Sequence, residues 1–192
     1  TIMKIVSLFS GIGGLDQGFI DAGYDVVWAN DFDKYAAHTY NKNNPKGIMH
    51  LGDITEIPLE NIPKHDVLIG GFPCQPFSMM GEQRGFEDTR GTLFFRIAEI
   101  INYQVEHGCA PKVIVLENVR RLLTHDKKNT FTTIKRVLEG LGYKVFYSVL
   151  NSADYGVPQV RNRLFIVCFR NQEVEFEFPC AKELKLSMHD IL

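Results

Sequence analysis

Short, unbroken apolar runs recur along the chain, and segments of helical periodicity separate most of them. Lys4 to Phe9, Asp25 to Asn30, Asp66 to Gly71 and Val113 to Leu116 read as strands. Leu15, Phe19 and Ala22 recur at helical spacing after the first run, and Gly23 is the expected stop. Asp33 to Tyr40 suits a second helix, and Leu93, Ile97, Ile100 and Ile101 mark a third. Phe131, Ile134, Val137, Leu138 and Leu141 mark a fourth, ended by Gly142. Strands that are apolar throughout must be covered on both faces, which predicts an α/β domain with a mostly parallel sheet. The last two strands, Val145 to Leu150 and Leu164 to Phe169, have too short a connection for a crossover helix. They are expected as an antiparallel hairpin at one edge.

A length of 192 residues with 45% hydrophobic and 23% charged residues excludes wholesale disorder and predicts one main domain. The formal net charge is −2, so a nucleic-acid partner has to be argued from local residues. Cys74, Cys109, Cys168 and Cys180 are widely spaced, which disfavours a zinc site and fits free thiols in a reducing cytoplasm. No apolar run reaches the roughly 18 residues of a membrane span, and the start carries no signal-peptide pattern. The stretch 77–91, with Gly81, Gly85, Gly91, Arg84, Asp88 and Arg90, breaks the rhythm. A loop of that length in a compact domain points to function.

The chemistry-bearing residues sit at the ends of the expected strands. Ser10-Gly11-Ile12-Gly13-Gly14 follows the first strand, where open parallel sheets bind ligands. The dinucleotide fingerprint needs glycine at position 16, and Asp16 stands there, which disfavours a nicotinamide cofactor. Asp31 follows the second strand and Asp53 follows Gly52; together they favour an adenosine-containing cofactor, although either could simply cap a helix. Cys74 lies between Pro73 and Pro76 at the end of the third apolar run. Flanking prolines fix the backbone there; a helix N-terminus or a cation that lowers its pKa would make Cys74 a thiolate nucleophile, and the alternative is a buried structural cysteine. Val113 to Leu116 delivers Glu117, a carboxylate that can hold or donate a proton or else cap the next helix. Gln159, Arg161 and Arg163 alternate onto one side before the last strand, where two arginines can grip oxygen atoms or remain solvated.

Taken together, the set closely resembles the cytosine-5 DNA methyltransferases. Phe9-Ser10-Gly11-Ile12-Gly13-Gly14 is similar to the family's first motif, and Asp31 and Asp53 match its acidic positions. Pro73-Cys74-Gln75 matches the catalytic motif, Glu117-Asn118-Val119 the ENV motif, and Gln159-Val160-Arg161-Asn162-Arg163 the Q-x-R-x-R motif. Any one motif is weak, but five in order are specific, and the resemblance covers about residues 3–170.

The resemblance implies a Rossmann-like S-adenosylmethionine-dependent methyltransferase fold. It implies methyl transfer to carbon 5 of a cytosine flipped out of double-stranded DNA, with tRNA cytosine as the alternative substrate. Cys74 would add to carbon 6 and Glu117 would contact ring N3 and the exocyclic amine. Arg163, with Arg161 beside it, would meet the base carbonyl oxygen or the surroundings of Cys74. Phe9, Gly11, Gly13, Asp31, Phe32, Asp53, Ile54, Pro73 and Leu93 would hold or wall the cofactor, and loop 77–91 would close over DNA. A catalytic cofactor-binding domain over 1–175 and an exit segment over 176–192 are expected, leading toward an absent target-recognition domain. That recognition part would come from a truncated segment or a second chain of a split enzyme. The setting expected is cytoplasmic bacterial restriction–modification.

Overall fold

The computed structural model describes residues 1–74 and 93–182. Gln75, the glycine-bearing loop expected over 77–91 and the last ten residues lie outside the described residues. The elements run β1 (Lys4–Leu8), α1 (Gly14–Asp21), β2 (Asp25–Asp31), α2 (Lys34–Asn43), β3 (Met49–Leu51) and β4 (Val67–Gly71). Then follow α3 (Leu93–Glu106), β5 (Val113–Val119), α4 (Asn129–Gly140), β6 (Lys144–Asn151) and β7 (Asn162–Phe169). They form a seven-stranded sheet in the order β3-β2-β1-β4-β5-β7-β6. The first five strands are parallel, and the apolar runs of β1, β2, β4 and β5 fit a sheet covered on both faces.

Local signals explain the boundaries. Gly13, at φ 94°, caps the start of α1 in a left-handed conformation that few other residues adopt. The Asp33 carboxylate caps α2 by accepting from the amides of Tyr35 and Ala36 at 2.7 and 3.0 Å. Period-two alternation sends Val6, Leu8 and Leu68 to one face of the sheet and Ile5, Val67 and Ile69 to the other. The first face buries the apolar stripes of α3 (Phe94, Ile97, Ile101) and α4 (Ile134, Leu138). The second is covered by Leu15, Phe19 and Ile20 of α1.

Two features refine the sequence reading. The antiparallel pair does lie at one edge, but β7 is inserted between β5 and β6 and runs against both. In addition, β5 continues through Val119, so Glu117 and Asn118 are inside the strand rather than beyond it. Glu117 pairs with Gly71 on one side and Phe165 on the other. The turn that follows has no side-chain cap, so helix capping is not what Glu117 does.

Beyond β7 the chain lies along the sheet edge. Phe176 packs on Phe146 and Phe169 with ring centroids 5.7 and 5.4 Å apart, and Phe178 packs on Phe176. All four cysteines are free; Cys168 is buried and Cys74 and Cys180 are exposed. Among the described residues no helix is long and apolar enough to cross a membrane.

Candidate active site

The C-terminal ends of β1, β4 and β5 and the start of β7 surround a cavity of about 580 Å³. Phe9, Ser10, Gly14, Asp16, Gly71, Glu117, Arg161 and Arg163 are among its lining residues. Reversal of β7 brings Arg163 beside Glu117, where its Nε lies 2.9 Å from Oε1. Both side chains are about three-quarters shielded, 26% and 25% exposed. An ion pair in that setting is geometrically defined, unlike a fully solvated one. Gly71 makes the arrangement possible: a Cβ there would stand 2.8 Å from Glu117 Oε2.

The glycine turn forms the opposite wall. Phe9 has φ 52°, a strained conformation for a residue with a side chain, and Gly11 has φ 56°. The Gly11 amide donates to Asp31 Oδ2 at 2.8 Å, and the Asp33 amide donates to Oδ1 at 2.9 Å. Asp31 therefore ties the end of β2 to the turn. A Cβ at Gly11 or Gly14 would meet nothing within 4 Å, so the turn opens onto free space that a ligand can fill.

Beneath the turn lies a polar network that sequence reasoning missed. Asp16 is buried, accepting from Ser7 Oγ at 2.7 Å and from the Tyr40 hydroxyl at 2.6 Å. Burial holds its carboxyl above the ordinary aspartate range, and the Tyr40 and Ser7 hydrogen bonds pull the other way. Gly13 passes so close to Tyr40 that a Cβ would be 3.1 Å from the ring. An aspartate in a first helical turn ordinarily suggests a surface position facing the helix dipole. Ser7 of β1 and Tyr40 of α2 close over it and put it inside.

A second depression, of about 530 Å³, is lined by Trp28, His50, Gly52, Asp53 and Glu56. Trp28 stacks on His50 with centroids 4.9 Å apart. Asn30 Nδ2 reaches the carbonyls of His50 and Gly52 at 2.7 and 3.0 Å and fixes this end of β3. The Thr55 amide and hydroxyl bond Asp53, which holds its carboxyl below the usual range.

Cys74 is exposed in a third depression of about 360 Å³, with Val119, Arg121 and His125. It is not among the residues that line the main cavity. The backbone before it is anchored: buried Asn118 donates from Nδ2 to the carbonyl of Phe72 at 3.0 Å. Pro73 is exposed.

The expected cofactor residues are thus divided. Phe9 lines the main cavity and Asp53 the second depression. Phe32 is 76% exposed, while Ile54 is buried in the core and Leu93 packs against it. Trp28, His50 and Tyr40 were not anticipated, and Asp16 and Asn118 were noted in the sequence without these contacts. Their signal is tertiary, apart from the alternation that turns Trp28 out of β2.

Comparison with known proteins gives consistent results. The family model for C-5 cytosine-specific DNA methylases matches residues 3–192. The type II methyltransferase M.NgoBI of Neisseria gonorrhoeae is 48% identical over 176 residues, which are 92% of this chain and 53% of that protein. M.HhaI of Haemophilus parahaemolyticus is 42% identical over 194 residues, 100% of this chain and 57% of that protein. The chain therefore spans just over half the length of these relatives. Among solved structures, the S. pombe Dnmt2 methyltransferase superposes with a TM-score of 0.72 at 23% identity, over 92% of this chain and 52% of that one. A putative DNA modification methyltransferase from an E. coli prophage gives 0.72 at 22% identity, over 98% and 53%. At such identities the two structures bear on the fold alone.

Proposed function

Because the chain belongs to the C-5 cytosine-specific DNA methylase family, we propose that it carries the chemical half of a DNA (cytosine-5)-methyltransferase. The observation that carries the proposal is the Glu117–Arg163 pair facing the open glycine turn across one cavity. S-adenosylmethionine would occupy the space left open above Gly11 and Gly14, with Phe9, Asp31 and Asp53 among the residues that would hold it. When bound, it supplies an activated methyl group.

The chain's own residues supply the rest. Carbon 5 of cytosine is a weak nucleophile. Addition of the Cys74 thiolate to carbon 6 makes the ring electron-rich at carbon 5. Glu117 accepts from the exocyclic amine and holds a proton at N3, which offsets the charge that addition creates. Arg163 keeps Glu117 in place and offers its remaining N–H groups to the base carbonyl oxygen, with Arg161 at the rim. Once carbon 5 has taken the methyl group, loss of its proton to a base lets the Cys74–carbon 6 bond break, with the thiolate as leaving group, and restores the ring. The target carbon is inaccessible within a duplex, so the cytosine enters flipped out.

The proposal includes double-stranded DNA as substrate and a second chain or further sequence for target recognition. It sets the enzyme in the cytoplasm, as the modification arm of a restriction–modification pair. The test is transfer of labelled methyl to mixed-sequence DNA, with tRNA in parallel, by the wild-type protein and Cys74→Ser. Label on DNA cytosine is expected, and its loss in the variant while cofactor still binds. Label retained by Cys74→Ser would remove Cys74 from the mechanism, and label on tRNA alone would move the substrate to RNA.

A further inference from the structure

The stretch that follows β5 has no part in the mechanism above, yet it concentrates charge beside Cys74. Arg120, Arg121, Lys127 and Lys128 fall within nine residues, with Asp126 as the one carboxylate among them. All four cations are exposed, and none forms a salt bridge among the described residues. The whole chain has 21 cations and 23 anions, so this run is a local segregation and not a sample of the average.

The turn is also held in an unusual shape. Asp126, Lys127 and Lys128 are all left-handed, with φ of 48°, 50° and 74°. Three successive side-chain-bearing residues in that region are strained, and such strain persists where the surroundings enforce it. Here Leu122 is buried at one end, and His125 meets the buried Thr130 hydroxyl at 2.7 Å at the other. The lysines therefore project from a pinned backbone, so a ligand has only their side chains left to order. Arg121 and His125 line the same depression as Cys74, and Arg120 and Arg121 line the adjoining one with Leu123 and Thr124.

We propose that the basic turn 120–128 grips backbone phosphates of the DNA strand whose cytosine reaches Cys74. The assignment rests on Cys74 receiving that cytosine. A strand carries one phosphate about every 3.4 Å, so phosphates flanking a base at Cys74 fall against Arg121 and its neighbours. The contacts are to phosphate and carry no sequence information, which suits residues lying outside a target-recognition part.

The test uses the full chain and a labelled mixed-sequence duplex with one mismatched cytosine, which lowers the cost of flipping. Binding is followed by anisotropy between 50 and 200 mM salt. Two variants are compared, Arg120→Ala/Arg121→Ala and Lys127→Gly/Lys128→Gly. The second removes two charges at positions whose left-handed backbone glycine adopts without strain, and a thermal melt of each variant separates lost binding from lost folding. Removing one cation that neutralises a phosphate reduces the slope of log affinity against log salt by about 0.9. Each double variant should therefore reduce the slope by about 1–2, with S-adenosylmethionine crosslinking unchanged. Unchanged slopes in both variants would overturn the assignment, as would a wild-type chain that ignores the duplex throughout. A slope change confined to an RNA hairpin of equal length would also overturn it. Methyl transfer and its dependence on Cys74 are read separately, so either idea can fail alone.

Discussion

At the residue scale, two positions make sharp demands. Gly71 leaves room for the Glu117 carboxylate, and Gly71→Ala would put a methyl 2.8 Å from Oε2. The crowded atom is the far end of a flexible side chain, so folding should change by less than about 1 kcal/mol. The carboxylate must swing away from Arg163, however, and methyl transfer should fall about tenfold or more, or about 1.4 kcal/mol. A thermal melt beside a rate measurement checks both halves. Tyr40 makes a different demand, because its hydroxyl is one of two donors to buried Asp16. Burial raises the Asp16 carboxyl, so its folded-state pKa lies above its unfolded value. The contribution to stability is then complete below the unfolded pKa and is lost as pH rises through the folded one. Tyr40→Phe removes a hydrogen bond that favours the ionised form, and should cost about 1–3 kcal/mol. That deficit should be larger at pH 8 than at pH 5, when midpoints of chemical unfolding are compared. A deficit independent of pH would mean that Asp16 does not titrate between those pH values.

At the scale of elements, strands and helices were largely legible, because periodicity reports burial and burial is what the sheet imposes. β1, β2, β4 and β5 are apolar runs, and their interiors are buried. Met49–Leu51 gave no comparable signal, since it is three residues long and mostly exposed. The extension of β5 through Val119 was hidden because Glu117 and Asn118 are polar, although both are ordinary strand residues once β7 pairs with them. Helix capping by Asp33 was recognisable locally, whereas the bond from Asn118 to the Phe72 carbonyl joins β5 to the segment after β4 and has no local signature. Asn118→Ala should leave that carbonyl without its partner, at a cost of about 1–3 kcal/mol. It should also slow methyl transfer more than it weakens cofactor binding, because the freed segment leads directly to Cys74. Equal effects on both would make Asn118 a general stabiliser only.

At the scale of the whole molecule, the motifs name candidate residues but not which of them surround one space. Glu117, Arg161 and Arg163 share the main cavity with the glycine turn, while Asp53 and Cys74 line depressions of their own. The sequence could not distinguish these groupings. They depend on strand order, and a hairpin at a sheet edge can dock by either of its strands. The side of the hairpin that joined β5 decided that Arg163 meets Glu117. That insertion also governs when the site can come into being. On the ribosome, β5 emerges well before its partner, and β6 emerges between them without pairing to β5. Glu117 therefore waits, unpaired on one side, until Arg163 has been synthesised and β7 has slid between two strands already made. Such non-local closure is slow relative to local helix formation. A nascent chain can thus hold its glycine turn early, but Glu117 and Arg163 are paired only once β7 arrives.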